Sequence, residues 1–171
     1  MRKVYIDIAT TGMNPALDRI VEIAAIEVIN DKTTENYFHS YINPDTLHLC
    51  PAAEEVNGYG LEFLEDKPRF KEIAEQFARL IHGAELVCFG AGFDLVFLEN
   101  EFSRLGLTPL DDHYLALLDL RGLAKSVCPN QRINLVILFE QFGLNKANNH
   151  VPNKLSNVHQ LVQLHQALLS L

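Results

Sequence analysis

The sequence predicts an α/β domain in which a mixed five-stranded sheet carries helices on both faces. Three β-prone runs open the chain in a row, and segments with helical and strand periodicity alternate after them, which is typical of such a sheet. The length of 171 residues and the hydrophobic content of 48% are ordinary for a globular domain with its own core. We therefore expect a single domain over residues 1–171.

The first three strands are predicted from β-branched content and from alternation. Residues 3–8 form the first strand, and residues 10–15 form the loop that leaves it. Residues 19–30 are rich in Ile and Val and predict the second strand. Residues 33–42 alternate around aromatic side chains and predict its antiparallel partner, across a turn at residues 30–32.

Helices and strands alternate over the rest of the chain. Pro51 and Gly58 bound a short helix over residues 51–57, because proline favours the first helical turn and glycine the position after the last. Apolar residues at helical spacing predict the next helix over residues 68–81. The remaining elements are, in order, strand 85–89, helix 93–105, strand 113–120, helix 121–127, helix 134–142 and helix 154–169.

Composition narrows the classes of partner. With a net charge of −8 the sequence shows no basic stripe, so single-stranded DNA or RNA is expected to bind weakly if at all. No apolar run reaches membrane-spanning length and the chain opens directly into a strand, so no membrane partner is expected. Cys50, Cys88 and Cys128 lack metal-like spacing and indicate reduced thiols in a cytoplasmic protein, with Cys88 in the core.

The first strand carries one carboxylate, Asp7, just before a loop of hydroxyls, glycine and proline. Alternation places residues 5, 7 and 9 on the same face of the strand. A second carboxylate at position 9 would complete a metal clamp with Asp7, but Ala9 stands there. Asp7 is therefore either the remaining ligand of a metal site that lacks one carboxylate or a structural carboxylate that caps the turn over residues 10–12.

Four segments carry a family resemblance: YIDIATTGMNP, RIVEIAAIEVIN, VNGYGLEFLEDKPRF and ELVCFGAGFDLVFLENEF. In this order they resemble the DEDD-type 3′–5′ exonucleases, in particular the epsilon-type proofreading exonucleases of bacterial DNA polymerase III. The resemblance implies a ribonuclease-H-like exonuclease fold, which agrees with the predicted sheet. Because the chain ends with its last predicted helix, we also expect no C-terminal polymerase-binding extension.

The resemblance also implies a chemistry and its ligands. In this family two divalent metals hold the attacking water and the leaving 3′ oxygen of the last phosphodiester. Four carboxylates bind these metals, Mg²⁺ or Mn²⁺, and a histidine acts as general base. Asp7 and Asp94 match two of the carboxylate positions, whereas Ala9 and Asn157 occupy the other two. Such a site would bind metal weakly or not at all.

The position of the base and its surroundings also depart from the family pattern. Pro152 occupies the histidine position, and His150, two residues upstream, is the nearest candidate base, with a solvated loop histidine as the alternative. Asn57 occupies the position of another family histidine. Phe89 and Gly90 replace the polar pair that the family has before the Asp94 position. Asp94 itself has an alternative role as a first-turn carboxylate favoured by the helix dipole.

Two further sets of residues bear on function. The loop residues that would line the path of a 3′-terminal nucleotide, or else only form the turn, are Thr10, Thr11, Gly12 and Met13. The phenylalanines predicted to form core, rather than a base-stacking platform, are Phe63, Phe70, Phe77, Phe93, Phe97 and Phe102. Asn157 is expected to hydrogen-bond to Asp7.

Three functional hypotheses remain. The first is an exonuclease-like domain that has lost most or all catalysis and acts as a binding or scaffold module for an unidentified protein partner. The second is a weak, Mn²⁺-favoured 3′–5′ exonuclease on single strands, with Asp7 and Asp94 as metal ligands and His150 as base. The third is a nucleic-acid binder without chemistry, whose affinity would depend on salt.

Overall fold

The computed structural model describes residues 1–144 and 153–171. Its elements are, in chain order, β1 Arg2–Thr10, β2 Ile20–Ile29, β3 Lys32–Tyr41, α1 Pro51–Asn57, α2 Leu61–Leu64, α3 Phe70–Ile81, β4 Glu85–Cys88, α4 Ala91–Arg104, a 3-10 turn Leu110–Asp112, β5 Ala116–Asp119, α5 Leu120–Val127, α6 Leu135–Gln141 and α7 Lys154–Leu169. Among the helices of these ranges, none has the length and apolar character needed to cross a membrane.

The five strands form one mixed sheet in the order β3-β2-β1-β4-β5. The first three strands of the chain pair antiparallel, while β1 pairs parallel with β4 and β4 with β5. β1 is central, aligns Ile8 with Ile23 of β2, and shifts register between Ala9 and Thr10. The mixed five-stranded sheet is therefore confirmed. The carboxyl ends of its parallel strands meet at one edge, where ligand sites form in such sheets.

Side chains of β1 alternate between two apolar cores, one on each face of the sheet. Val4, Ile6 and Ile8 point into a core that also contains residues of α3 and α4. Tyr5 points into the opposite core, which contains residues of α5, α6 and α7. Helices on both faces are therefore confirmed, and Asp7, on the face of Tyr5, is directed towards α7.

A buried hydrogen bond joins α7 to β1. The Tyr5 hydroxyl lies 2.6 Å from Nδ1 of His165, and both residues are buried. Burial raises the pKa of Tyr5 well above its usual range, so the hydroxyl keeps its proton and donates it. Burial lowers the pKa of His165, and the positive charge of Lys3 lowers it further, so the ring is neutral and accepts.

We expect the stability of the native protein to fall more steeply below neutral pH than that of a His165→Asn variant. The lowered pKa of folded His165 means that, between its folded and unfolded values, the unfolded chain binds more protons. Stability therefore falls as pH drops below about 6.5, by at most about 1.4 kcal/mol per pH unit for one group. Urea unfolding from pH 7 to pH 5 measures the slope, with the exposed His159→Asn on the same helix as control. Equal slopes for native protein and His165→Asn would contradict the expectation.

The loop from β1 to β2 is fastened at two points. Asp18 is buried, and its carboxylate accepts the Thr11 hydroxyl and the Asn14 backbone N–H, each at 2.9 Å. Arg19 donates Nε and Nη2 to the two oxygens of Glu101 on α4, at 2.6 and 2.7 Å. These contacts fix the loop that leaves the edge of the sheet.

The boundaries of several elements differ from the prediction. Helix α2 and the 3-10 turn were not predicted. The strand predicted over residues 113–120 is shorter, because the His113 N–H closes the 3-10 turn on Leu110 and the Asp119 side chain caps α5. Strand β4 ends at Cys88, since Gly90 adopts a φ of 89° and begins the turn into α4.

The aromatic prediction holds in part. Buried members of the predicted set are Phe70, Phe77, Phe97 and Phe102, and Cys88 is buried beside them as predicted. The prediction was wrong for Phe63, which is 43% exposed and packs edge-on against Tyr41 with the Lys67 ammonium 4.7 Å from its ring. Phe93 is half-buried and forms part of the wall of a cleft, because it lies in the first turn of α4 at the edge of the sheet.

Candidate functional site

Two side chains of α7 hold the Asp7 carboxylate. Asn157 donates from Nδ2 to Oδ2 at 2.9 Å, as predicted. The Lys154 ammonium, which was not predicted, lies 3.4 Å from Oδ1 and 3.3 Å from Oδ2. Positions 154 and 157 are three apart, so both side chains leave the same face of the helix. Asp7 therefore does not cap the turn after β1; Asp18 does.

Asp94 lies in the first turn of α4, as predicted, and is 5% exposed. Burial raises the pKa of its carboxyl well above the usual range, and the nearby charge of Asp7 raises it further. The Lys154 ammonium acts in the opposite direction. The two carboxylates that match the family pattern are therefore close enough to influence each other. The positive charge of Lys154 reduces the repulsion between them.

A third carboxylate, Glu22 on β2, lies beside the site and was missed by the sequence analysis. Its Cα is paired with that of Ala9, and the residue is 2% exposed. Oε1 accepts from Nε2 of His39 at 2.8 Å and from the backbone N–H of Lys154 at 2.9 Å, while Oε2 accepts the Tyr59 hydroxyl at 2.9 Å. Glu22 thus anchors the start of α7 and does not replace the carboxylate absent at position 9.

Ala9 faces an apolar environment. It is buried in a small cluster with Val21 and Leu64, and Tyr41 and Tyr59 pack against this cluster. Burial raises the pKa of Tyr59 far above its usual range, and the charge of Glu22 contributes. A carboxylate at position 9 would lie between these groups and the cleft, which Ala9 also lines.

The four loop residues predicted for nucleotide binding have different roles. Thr11 is fully buried and its hydroxyl is used by Asp18. The Thr10 hydroxyl donates to the carbonyl of Gly12 at 2.6 Å, so both threonines shape the turn. Met13 is 79% exposed at the rim, and its backbone neighbour Gly12 approaches the Asp18 carboxylate so closely that a Cβ would collide.

A cleft of about 280 Å³ opens between the end of β1, α1 and the start of α4. Its walls combine apolar side chains with three polar ones and the loop after β1: Ile8, Ala9, Thr10, Gly12, Met13, Cys50, Ala52, Ala53, Val56, Asn57, Phe93 and Lys154. Asn57 donates from Nδ2 to the Thr10 carbonyl at 3.1 Å and so stabilises this wall. The cleft brings together Thr10, Gly12 and Met13 but leaves Thr11 behind the turn.

The described residues do not fit the two-metal centre that the family resemblance implies. Within residues 1–144 and 153–171, no group of three or more His, Cys, Asp or Glu side chains is arranged to hold a metal ion. The Asn157 amide and the Lys154 ammonium direct N–H groups at the oxygens of Asp7, where a divalent cation would need free lone pairs. His150 and Pro152 lie outside the described residues.

Features of the sequence could have identified the residues that the sequence analysis missed. Lys154 lies one helical turn before Asn157, so helical geometry already places it near the partner of that amide. Glu22 is one of two glutamates in a strand that is otherwise apolar, and a charge in such a run is buried only when it is paired. Asp119 precedes a helix start and accepts the N–H groups of Gly90 and Arg121, the role of an N-cap.

Comparison with known proteins places the chain in a family. Residues 4–151 match the exonuclease family described as RNase_T. The chain is 35% identical over 173 residues to the DNA polymerase III subunit epsilon of Escherichia coli K12, covering 98% of this chain and 71% of that protein. It is 38% identical over 151 residues to the Haemophilus influenzae subunit epsilon, covering 85% of this chain and 59% of that protein.

Solved structures support the same fold. The structure of E. coli exonuclease I in complex with a dT13 oligonucleotide matches with a TM-score of 0.82 at 21% identity, over 98% of this chain and 40% of that chain. A zinc-bound complex of the same enzyme with single-stranded DNA matches with a TM-score of 0.85 at 19% identity, over 99% of this chain and 40% of that chain. The ribonuclease-H-like exonuclease fold is therefore confirmed, and the chain belongs to the exonuclease family, as a domain similar to the epsilon subunits of DNA polymerase III.

Proposed function

We propose that this domain is an epsilon-like exonuclease module whose nuclease activity is lost or strongly impaired and that acts by binding. The observation that carries the proposal is the occupation of the Asp7 carboxylate by Lys154 and Asn157. An ammonium and an amide N–H satisfy the charge and lone pairs that a metal ion would otherwise use.

The remaining acidic groups add to this proposal. Asp94 is buried and its raised pKa disfavours the charged form that a cation would need. Both oxygens of Glu22 already accept hydrogen bonds from within the domain. Only Asp7 and Asp94 match the four carboxylates of the family; Asp94 is buried, and the oxygens of Asp7 are contacted by Lys154 and Asn157.

Relatives suggest what the module would bind. The curated relatives are subunits of a bacterial DNA polymerase, and exonuclease I has been solved with single-stranded DNA. We therefore propose weak, salt-dependent binding of a single strand, with an unidentified protein partner as the other candidate, in the cytoplasm. The chain spans 71% and 59% of the lengths of the two relatives compared. Binding of this domain to the partners of those whole proteins is therefore a proposal.

A competing function is the weak Mn²⁺-favoured 3′–5′ exonuclease that uses Asp7 and Asp94, with His150 as base. The observation in its favour is that the charges of Asp7 and Asp94 influence each other, so these two carboxylates remain neighbours. Mn²⁺ tolerates incomplete oxygen sites better than Mg²⁺ does.

The deciding experiment measures trimming of a 5′-labelled oligothymidylate in millimolar Mg²⁺ or Mn²⁺. We expect no shortening above that given by an Asp7→Ala variant prepared in parallel, which controls for contaminating nucleases. Shortening by the native protein that Asp7→Ala abolishes would overturn the proposal, and activity with Mn²⁺ alone would favour the competing function.

A further inference from the structure

We propose that the Lys154 ammonium replaces the divalent cation as the phosphate-binding charge of this cleft, so that a nucleoside phosphate binds there without any metal. The inference rests on the proposed function, since it describes how a non-catalytic exonuclease-like domain would hold its ligand. It assigns a ligand-binding role to a residue whose position in the family motif gives no reason to expect one.

The first support is the geometry of the lysine. Its side chain forms part of the cleft wall and is 21% exposed. The distances of 3.3 and 3.4 Å to Asp7 exceed those of a tight charge-assisted hydrogen bond, which are about 2.7–2.9 Å. An ammonium carries three donors, and Asp7 is its one hydrogen-bond partner within residues 1–144 and 153–171. Lys154 therefore retains donor capacity towards the cleft.

The second support is that the lysine is held in place before any ligand arrives. Its backbone N–H donates to buried Glu22 at 2.9 Å. The preceding residue, Asn153, caps α7 by accepting the Ser156 N–H at 2.8 Å. A cation whose backbone is fixed loses less freedom on binding an anion than one on a loop.

The third support is the composition of the cleft around the cation. Phe93, Met13 and Val56 contribute flat or flexible apolar surface, and Thr10 and Asn57 are uncharged polar residues of the lining. One charge at an otherwise apolar wall suits a ligand with an anionic group and a flat body, which is the chemistry of a nucleotide.

The fourth support is charge balance. Asp7 without a cation would repel a phosphate. The Lys154 ammonium, 3.3 Å from Oδ2, offsets that charge from within the chain. On the proposal, the lysine takes over this part of the role of an added cation.

The test uses fluorescence anisotropy of a 5′-fluorescein oligothymidylate with the native protein at low salt in EDTA. We expect measurable binding in EDTA that millimolar Mn²⁺ does not increase. Lys154→Met should weaken it about tenfold or more, the range for one charged hydrogen bond. Lys71→Met, an exposed lysine on α3, is the matched control and should bind as the native protein does.

Competition with thymidine 5′-monophosphate shows whether the phosphate comes from a free mononucleotide or from the end of a strand. Displacement by the mononucleotide supports a site for one nucleotide, whereas displacement only by unlabelled oligomer supports a strand terminus. Lys154→Gln repeats the measurement if Lys154→Met does not give a folded protein by circular dichroism.

Each failure points to one proposal alone. Binding that requires metal, or that Lys154→Met leaves unchanged, overturns the role of Lys154 while the absence of trimming still supports an inactive domain. Trimming abolished by Asp7→Ala overturns the proposed function, whatever the binding assay gives.

Discussion

Replacing Ala9, Lys154 and Asn157 together by Glu, Ala and Asp is expected to raise the affinity of the domain for Mn²⁺ by about 100-fold or more. The triple variant adds two carboxylates beside Asp7 and removes the ammonium that competes for its oxygens. If each new carboxylate contact contributes as much as a hydrogen bond to a charged group, about 1.5–3 kcal/mol, two of them account for that factor. Isothermal titration calorimetry with Mn²⁺ measures the change directly.

The matched control is the double variant Ala9→Gln, Lys154→Ala, which enlarges position 9 and removes the lysine without adding a carboxylate. It should bind Mn²⁺ little better than the native protein does. The triple variant should also be less stable than the native protein in EDTA, because its carboxylates repel one another, and should regain stability with metal. Native protein that binds Mn²⁺ as tightly as the triple variant would show that Lys154 and Asn157 do not block the site.

Arg19→Ala is expected to destabilise the domain by about 3 kcal/mol. Glu101 on α4 is 1% exposed, and Arg19 supplies both of its short ion-pair contacts, at 2.6 and 2.7 Å. Among the partners that the described residues provide, Arg104 alone would remain, at 3.1 Å from Oε1. Removing Arg19 would therefore leave a buried carboxylate short of partners, and it would release the loop after β1 from α4. Chemical denaturation in urea gives the free energy of unfolding.

Two further variants show whether the loss comes from the buried charge. Arg79→Ala breaks an exposed ion pair, in which the Arg79 side chain is 66% exposed and that of Glu75 is 86% exposed. This variant should change the free energy of unfolding by no more than about 0.5 kcal/mol. Adding Glu101→Gln to Arg19→Ala removes the uncompensated charge and should recover a large part of the loss. A double variant as unstable as Arg19→Ala would mean that lost packing, rather than charge, is responsible.

The parts of the fold that the sequence predicted are those set by local periodicity. Alternation along β1 placed Tyr5 and Asp7 on one face, and helical spacing placed Phe77 and Phe97 in the core. The mixed sheet agreed with the fold implied by the resemblance, while the order of its strands was not predicted. Phe63 was misplaced because it lies on α2, a short helix that was not predicted, where it packs against Tyr41 and stays 43% exposed.

Only part of the candidate site could be predicted from the sequence, for a physical reason. Local sequence shows which residues are present but not which side chains from distant segments meet, and Lys154 reaches Asp7 across 147 positions. The prediction that Asn157 would bond to Asp7 succeeded because the family pattern already paired those positions. No family position corresponded to Glu22, whose three donors come from β3, α7 and the segment after α1.

The contacts of Asp7 have a consequence for how this domain can evolve. An aspartate substituted alone at position 157 would face the Asp7 carboxylate across the present 2.9 Å contact, with the single ammonium of Lys154 to offset the repulsion of two carboxylates. A glutamate substituted alone at position 9 would bring a charge to a buried position between the cleft and the side chains of Val21 and Leu64. We expect each single change to be harmful and only the combined change to restore metal binding. On the proposed function, such epistasis would make the loss of metal binding hard to reverse, so descendants of this chain are expected to elaborate binding rather than return to hydrolysis.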